Sequence, residues 1–223
     1  MIPDYYKRLY DFHKQAALEK DGFYDGHTCL LKHHPVQLWA RRQILNLLTP
    51  ILSGNETLLD AGCGRGDLAI LLKRYFPQMK ITGIDLVPEM IQIARRITRQ
   101  LSGIEFHVGE IQKLPYDNYF FDVVVANNVL HCLLPQDQPP ALAELTRVSR
   151  KYLILELKNK NCLYHRIKKK KIAHLPLYPG SIPKLKELLR KNYFVVEKEK
   201  YFLFTGFLSP WVVLRAKKES TPE

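Results

Sequence analysis

The chain is 223 residues long, 46% hydrophobic and 25% charged, a balance that buries a core within one domain and excludes a disordered polymer. Its net charge is +12, which favours anionic partners such as nucleic acid, lipid headgroups or phosphorylated or carboxylated small molecules. Four cysteines, Cys29, Cys63, Cys132 and Cys162, show no C-x-x-C spacing; they exclude a disulfide scaffold and fit a reducing compartment.

Residues 1 to 34 are rich in Tyr, His and Lys without a clean period and read as an N-terminal lid or extension. The opening MIPDYYKRLYDF lacks the apolar stretch of a secretory signal, so a cytoplasmic location is expected. His27, Cys29, His33 and His34 match no common zinc spacing, so no metal is expected and they read as surface or lid residues. From Pro35 the pattern sharpens: Val36, Ala40, Ile44, Leu47 and Leu48 line one face of a helix that stops before Thr49-Pro50. Apolar runs suited to buried parallel strands follow at TLLDA (57 to 61), KITGID (80 to 85), IEFHV (104 to 108), FDVVVA (121 to 126) and YLILEL (152 to 157). Helical spacing separates them, in Leu68, Leu71, Leu72 and Tyr75, then Met90, Ala94, Ile97 and Leu101, then Ala141, Leu145 and Val148. Asp117 and Asn118 fit a turn before the fourth strand.

Between Lys158 and Lys200 stand 13 Lys or Arg against 3 Glu, a surplus of +10 that includes the run Lys168 to Lys171. A helix over about 181 to 191, with Ile182, Leu185 and Leu189 inward, is expected to be capped by Ser181. YFVVEKEKYFLF and SPWVVLRAKK then leave no room for a crossover helix between them and predict an antiparallel pair at the sheet edge. The stretch YFLFTGFLSPWVVL at 201 to 214 is too short to cross a bilayer and is broken by Gly206 and Pro210, so no transmembrane segment is expected. Alternation of strand and helix predicts an α/β, Rossmann-like, doubly wound sheet of seven mostly parallel strands with helices on both faces. Residues 35 to 223 form its domain, with 158 to 180 as a substrate-side insertion.

In such a sheet the first strand-to-helix turn is the usual ligand cradle. Here it reads LLDAGCGRGD, with the spacing Asp60-x-Gly62-x-Gly64-x-Gly66. Glycine permits φ > 0 and removes a Cβ that would collide with a ligand on the loop. A dinucleotide loop would carry its third Gly where Asp67 stands, an acid facing a pyrophosphate. An acid before the glycines suits an ammonium group instead, and the helix N-terminus can serve a carboxylate. Asp85, at the end of the second strand, can accept the two hydroxyls of a ribose, with Leu86 and Val87 as an apolar flank for a base. Glu110, after the third strand, can take an exocyclic amine while Ile111 packs on the ring. An amino acid, a ribose and an adenine together describe S-adenosylmethionine.

These residues resemble the class I S-adenosylmethionine-dependent methyltransferases, within them the broad type 11 group of quinone and small-molecule enzymes. The resemblance covers roughly residues 36 to 157 and rests on LLDAGCGRGD, ITGIDLVPEMIQIARR, GEIQKLPYDNYFFDVV and VVANNVLHCL. It assigns Asp60, Gly62 and Gly64 to the methionine end, Asp85 and Leu86 to ribose and adenine, Glu110 and Ile111 to adenine, and Asn127 to the wall beside the methyl group. It also implies an antiparallel seventh strand. The chain departs from the family at Val87 before Pro88, where a Ser or Asp cap is common, and at SRKY, where a Gly-rich turn usually precedes the fifth strand.

His131, close to the end of the fourth strand with Asn127 and Asn128, is the neutral-pH base of that stretch and suits general base work on a hydroxyl or acidic carbon, or a packing role. Tyr5, Tyr6, Tyr10, Phe23 and Tyr24 suit a lid over cofactor and acceptor. ANNVL stands where N-P-P-[FY] would mark adenine amine methylation, and Cys132 lacks the preceding proline of a cytosine C5 nucleophile, so it reads as a buried thiol. The expectation is a methyltransferase for a small-molecule acceptor, anionic or lipid-like. An RNA or protein methyltransferase gripping its polymer with the basic 158 to 200 segment is the rival, and a non-catalytic cofactor-binding protein the third reading.

Overall fold

The computed structural model describes residues 4–19, 35–162, 171–172, 175–202 and 209–219. After helix α1 (Asp4–Glu19), α2 (Pro35–Leu48) leads into β1 (Thr57–Ala61), α3 (Asp67–Tyr75), β2 (Lys80–Asp85), α4 (Pro88–Ile97), β3 (Ile104–Val108) and β4 (Phe121–Ala126). A 3-10 turn (Leu130–Cys132), α5 (Gln138–Val148) and β5 (Ser149–Lys158) follow. A small hairpin of β6 (Lys171–Ile172) and β7 (Leu175–Pro176) precedes α6 (Ile182–Lys191), β8 (Phe194–Tyr201) and β9 (Trp211–Lys218). The first four apolar runs become strands with the expected bounds, and the fifth is lengthened at both ends.

Seven strands form one sheet in the order β3-β2-β1-β4-β5-β9-β8, parallel except for β9, which runs antiparallel to both neighbours. The edge pair therefore forms with its later strand inside. Burial explains the choice: WVVLRA of β9 is buried throughout, whereas in FVVEKEKY of β8 only Phe194 is. A strand apolar on both faces belongs between neighbours, and a charged one blunts an edge.

Successive strand residues face opposite layers. Leu58, Ile81, Val123, Ile154 and Val213 pack with α2, α3 and α4, while Leu59, Val124, Leu153, Leu155 and Leu214 pack with α5 and α6. Strand order reverses between β1 and β4, which opens a crevice at their carboxyl ends.

Several local expectations change. Ser181 occupies the cap of α6, but its side chain makes no capping bond; its carbonyl accepts from Leu185 N at 2.8 Å. Leu101 lies beyond α4 and is 39% exposed, and Tyr75 is 60% exposed, so neither joins the core. The missing Gly-rich turn before β5 is accounted for, because α5 ends at Val148 and β5 begins at Ser149 with no residue between.

The extension holds a helix. Tyr5, Tyr6 and Leu9 of α1 pack with Cys132 and Leu177, and Tyr10 packs with Val87, Met90 and Ile93. Tyr24, Phe23, the His27 to His34 cluster and Lys168 to Lys170 lie outside the described residues. Among the described residues Cys63, Cys132 and Cys162 are unbridged and buried, and no helix is long and apolar enough to cross a membrane.

Candidate functional site

The loop after β1 folds against the protein itself as much as toward solvent. A Cβ at Gly62 (φ 77) would lie 2.7 Å from Val129 Cγ2, and one at Gly66 (φ 78) would lie 2.8 Å from Phe106 Cζ. Those two glycines are required by their own neighbours. Gly64 (φ 53) differs, since a Cβ there meets nothing within 4 Å; the open side of the loop is at this residue.

Asp85 ties the loop to the end of β2. Its Oδ2 accepts from Gly64 N at 2.8 Å and its Oδ1 from Val87 N at 3.0 Å. Each oxygen keeps a second lone pair for a ligand. Burial pushes this carboxyl up, while the two backbone donors and His13 of α1 oppose the shift. The bond to Val87 N also supplies the acceptor that the start of α4 lacks, since Val87 offers no side-chain cap.

Asp60 is 2% exposed, and its Oδ2 has no hydrogen-bond partner. Burial raises its carboxyl to about 7, with Arg41 pulling down and Asp85 and Asp67 pushing up. Arg41, on α2, donates from Nη2 to Asp67 Oδ2 at 2.9 Å, while its Nε and Nη1 are buried without partners. Asp67 is thus neutralised by a cation that the loop's own sequence does not contain. At the end of β4, Asn127 also has a buried, unpartnered Oδ1. Unmet acceptors and unmet donors around one open loop suit a group carrying both an ammonium and a carboxylate.

The flanking residues divide. Leu86 is 41% exposed, so its side chain is available to a ligand, but Val87 is buried with Met90 and Ile93 and offers no flank. Glu110 is exposed, and Ile111 is buried in the core. His131 is 1% exposed, with Nε2 at 2.6 Å from Lys158 Nζ. Cys132 is buried, which pushes its thiol up to about 11 and leaves it unreactive. Tyr5 donates to the Cys132 carbonyl at 3.1 Å, and Tyr6 bonds Asp137 and Leu134 N, so α1 is fastened over the strand ends. Among the described residues no group of three His, Cys, Asp or Glu could hold a metal.

Over residues 52–177, more than half its length, the chain matches the family described as a methyltransferase domain. It belongs to the class I S-adenosylmethionine-dependent methyltransferases. Over 99 residues this methyltransferase is 39% identical to the phthiotriol/phenolphthiotriol dimycocerosates methyltransferase of Mycobacterium leprae, covering 44% of this chain and 35% of that one. It is 45% identical over 69 residues to the demethylmenaquinone methyltransferase of Deinococcus radiodurans, covering 30% and 28%. These matches span about a third of the length of the curated relatives. In fold the methyltransferase is similar to the magnesium protoporphyrin IX methyltransferase of Synechocystis PCC 6803 with bound SAM, with TM-score 0.74, 16% identity, and 97% and 98% of the two chains covered.

Arg41, Glu156 and Lys158 escaped the sequence reading. Arg41 lies on the helix before β1, outside any loop motif. Glu156 and Lys158 carried a usable signal, an acid and a base two apart at the end of the apolar run that begins at Tyr152.

Proposed function

We propose that this methyltransferase transfers a methyl group from S-adenosylmethionine to a small-molecule acceptor. The observation carrying the reading is the set of unmet polar atoms, Asp60 Oδ2, Arg41 Nε and Nη1 and Asn127 Oδ1, around a loop open at Gly64 and fastened by Asp85. In this reading Asp60 takes the ammonium, Arg41 takes the carboxylate where it lies along the side-chain-free loop at Gly62 and Gly64, and Asp85 takes the ribose hydroxyls. Leu86 lies along the adenine, Ile111 backs it, Glu110 accepts from its amine, and Asn127 lines the wall beside the methyl group.

The bound cofactor supplies a methyl group already made electrophilic by a sulfonium. The chain's work is then alignment and exclusion of water. α1 would exclude water through Tyr5 and Tyr6, with Tyr24 assigned to the same lid, making residues 1 to 34 a lid on a domain of residues 35 to 223. The relatives are named for phthiotriol, demethylmenaquinone and magnesium protoporphyrin IX, which favours a small or lipid-like acceptor over a polymer. A cytoplasmic location belongs to the same reading, supported by three buried, unbridged cysteines.

Thermal melts with S-adenosylmethionine and with its demethylated product test the binding step, and transfer of labelled methyl into a cell extract tests the reaction. Both ligands are expected to raise the melting temperature, and Asp85→Ala to abolish the rise. An unchanged rise removes Asp85 from the site; binding without transfer across a broad acceptor screen favours the non-catalytic alternative. Label entering RNA or protein, with steep weakening by salt, favours the polymer alternative.

A further inference from the structure

Glu156 and Lys158 point from β5 to the same layer, two residues apart, at the end of the strand that faces the glycine loop. They are 2% and 8% exposed. Glu156 Oε2 accepts from Asn128 N at 2.9 Å, which pins a residue in the left-handed region (φ 60) next to Asn127. Lys158 Nζ lies 2.6 Å from His131 Nε2. The role of Nε2 in this contact depends on the tautomer: toward a Lys158 ammonium, which has donors only, it is the acceptor, and the imidazole proton is then on Nδ1. The lone pair that would make His131 a base is directed at Lys158.

The cluster stands beside the cofactor crevice. Val129, between Asn128 and His131 in the chain, packs on Gly62. The Cys132 thiol lies within electrostatic reach of Lys158, Glu156 and Asp85 together. Overhead, the Tyr5 ring meets Tyr178 at 5.5 Å, and Tyr178 N donates to the His131 carbonyl at 2.9 Å. Burial raises the Glu156 carboxyl to about 7, and the nearby Lys158 opposes that rise.

We propose that Lys158, in contact with His131 and beside Glu156, anchors the acceptor, and that the acceptor presents its reacting atom as an oxyanion, a carboxylate, phenolate or enolate oxygen. This rests on the reading of the chain as a methyltransferase. In the transfer the acceptor oxygen forms the new C–O bond as the C–S bond breaks, and sulfur keeps the electron pair. Since the acceptor enters ionised, no proton has to leave it within the site, and a neutral His131 is sufficient as a positioning residue. A protonated amine would be repelled by the same lysine.

The test uses the full chain loaded with S-adenosylhomocysteine and titrated calorimetrically at about pH 8.5 with 1-naphthoate, 2-naphthoate and 4-nitrophenol, each ionised there and paired with its own methyl ester or ether. The ionisable member of each pair is expected to bind and the blocked member to bind roughly tenfold more weakly or worse. Lys158→Met is expected to lose the preference while keeping its stabilisation by S-adenosylhomocysteine, and Lys158→Arg to retain it. The double variant Glu156→Gln with Lys158→Met removes both buried ionisable groups and serves if Lys158→Met fails to fold. Equal binding of both members, no binding of the acids to loaded wild type, or an undiminished preference without Lys158 overturns the proposal. Failure of S-adenosylhomocysteine to stabilise the wild type instead overturns the methyltransferase reading beneath it.

Discussion

Asp60 is the residue at which folding and cofactor binding oppose each other. Its carboxyl rises from 3.8 to about 7 on burial, so between those values the folded chain keeps a proton that the unfolded chain has lost. Stability in the absence of ligand therefore falls as pH climbs from about 4 to about 7 and stays low above it. Glu156, raised to about 7 by burial, contributes in the same direction. Asp60→Asn removes the Asp60 share of that slope. Its melting temperature at pH 8 is expected to exceed wild type, by about 2–4 °C for each kcal/mol recovered, with little difference at pH 4. A bound ammonium favours the ionised acid, so wild-type affinity for S-adenosylmethionine is expected to strengthen as pH rises through about 7 and that of Asp60→Asn to stay weak and flat. Melts and titrations at pH 5 and 8 check both. The carboxylate was legible from its place before the glycines; the nearby cation Arg41, which pulls its pKa down from α2, was not, because α2 reaches the loop only once the helix packs on the sheet.

In the turn between β1 and α3 the three glycines answer to different neighbours. Gly62→Ala adds a methyl 2.7 Å from Val129 Cγ2 at φ 77, and about 2–4 kcal/mol of destabilisation is expected from overpacking and left-handed strain together. Adding Val129→Ala should recover the packing part and leave the strain. Gly64→Ala meets nothing within 4 Å and should cost only about 1 kcal/mol in urea unfolding, yet it places a methyl in the open side of the loop and should weaken cofactor binding more than Gly62→Ala with Val129→Ala does. The spacing of the glycines announced a loop that tolerates no side chains. That Val129 and Phe106 demand two of them could not be seen, since these neighbours lie 67 and 40 residues further along the chain.

Across the whole molecule, Arg215 joins the sheet's distal half to the layer that carries Arg41. From β9 its Nη1 donates to the Leu47 carbonyl at the end of α2 at 2.8 Å, and its Nη2 pairs with Glu197 of β8 at 3.2 Å. It is 7% exposed, and Glu197 keeps a 32% exposed side chain. Arg215→Met is expected to destabilise by about 2–4 kcal/mol in urea, below the full penalty for a buried orphan charge because Glu197 can turn to water. Should the loss be undetectable, the tie between β9 and α2 carries no weight.

Periodicity and turn chemistry are local properties, so the sequence alone determined the positions of β1 to β4, the parallel layering, the glycine loop and the acids at the strand ends. Only the tertiary structure decided that β9 lies inside β8, that Arg41 faces Asp67 and Asp60, and that Lys158 closes on His131. Each of these is a meeting of residues far apart in the chain, set by which faces must be buried against one another, and no repeat of period two or 3.6 records it.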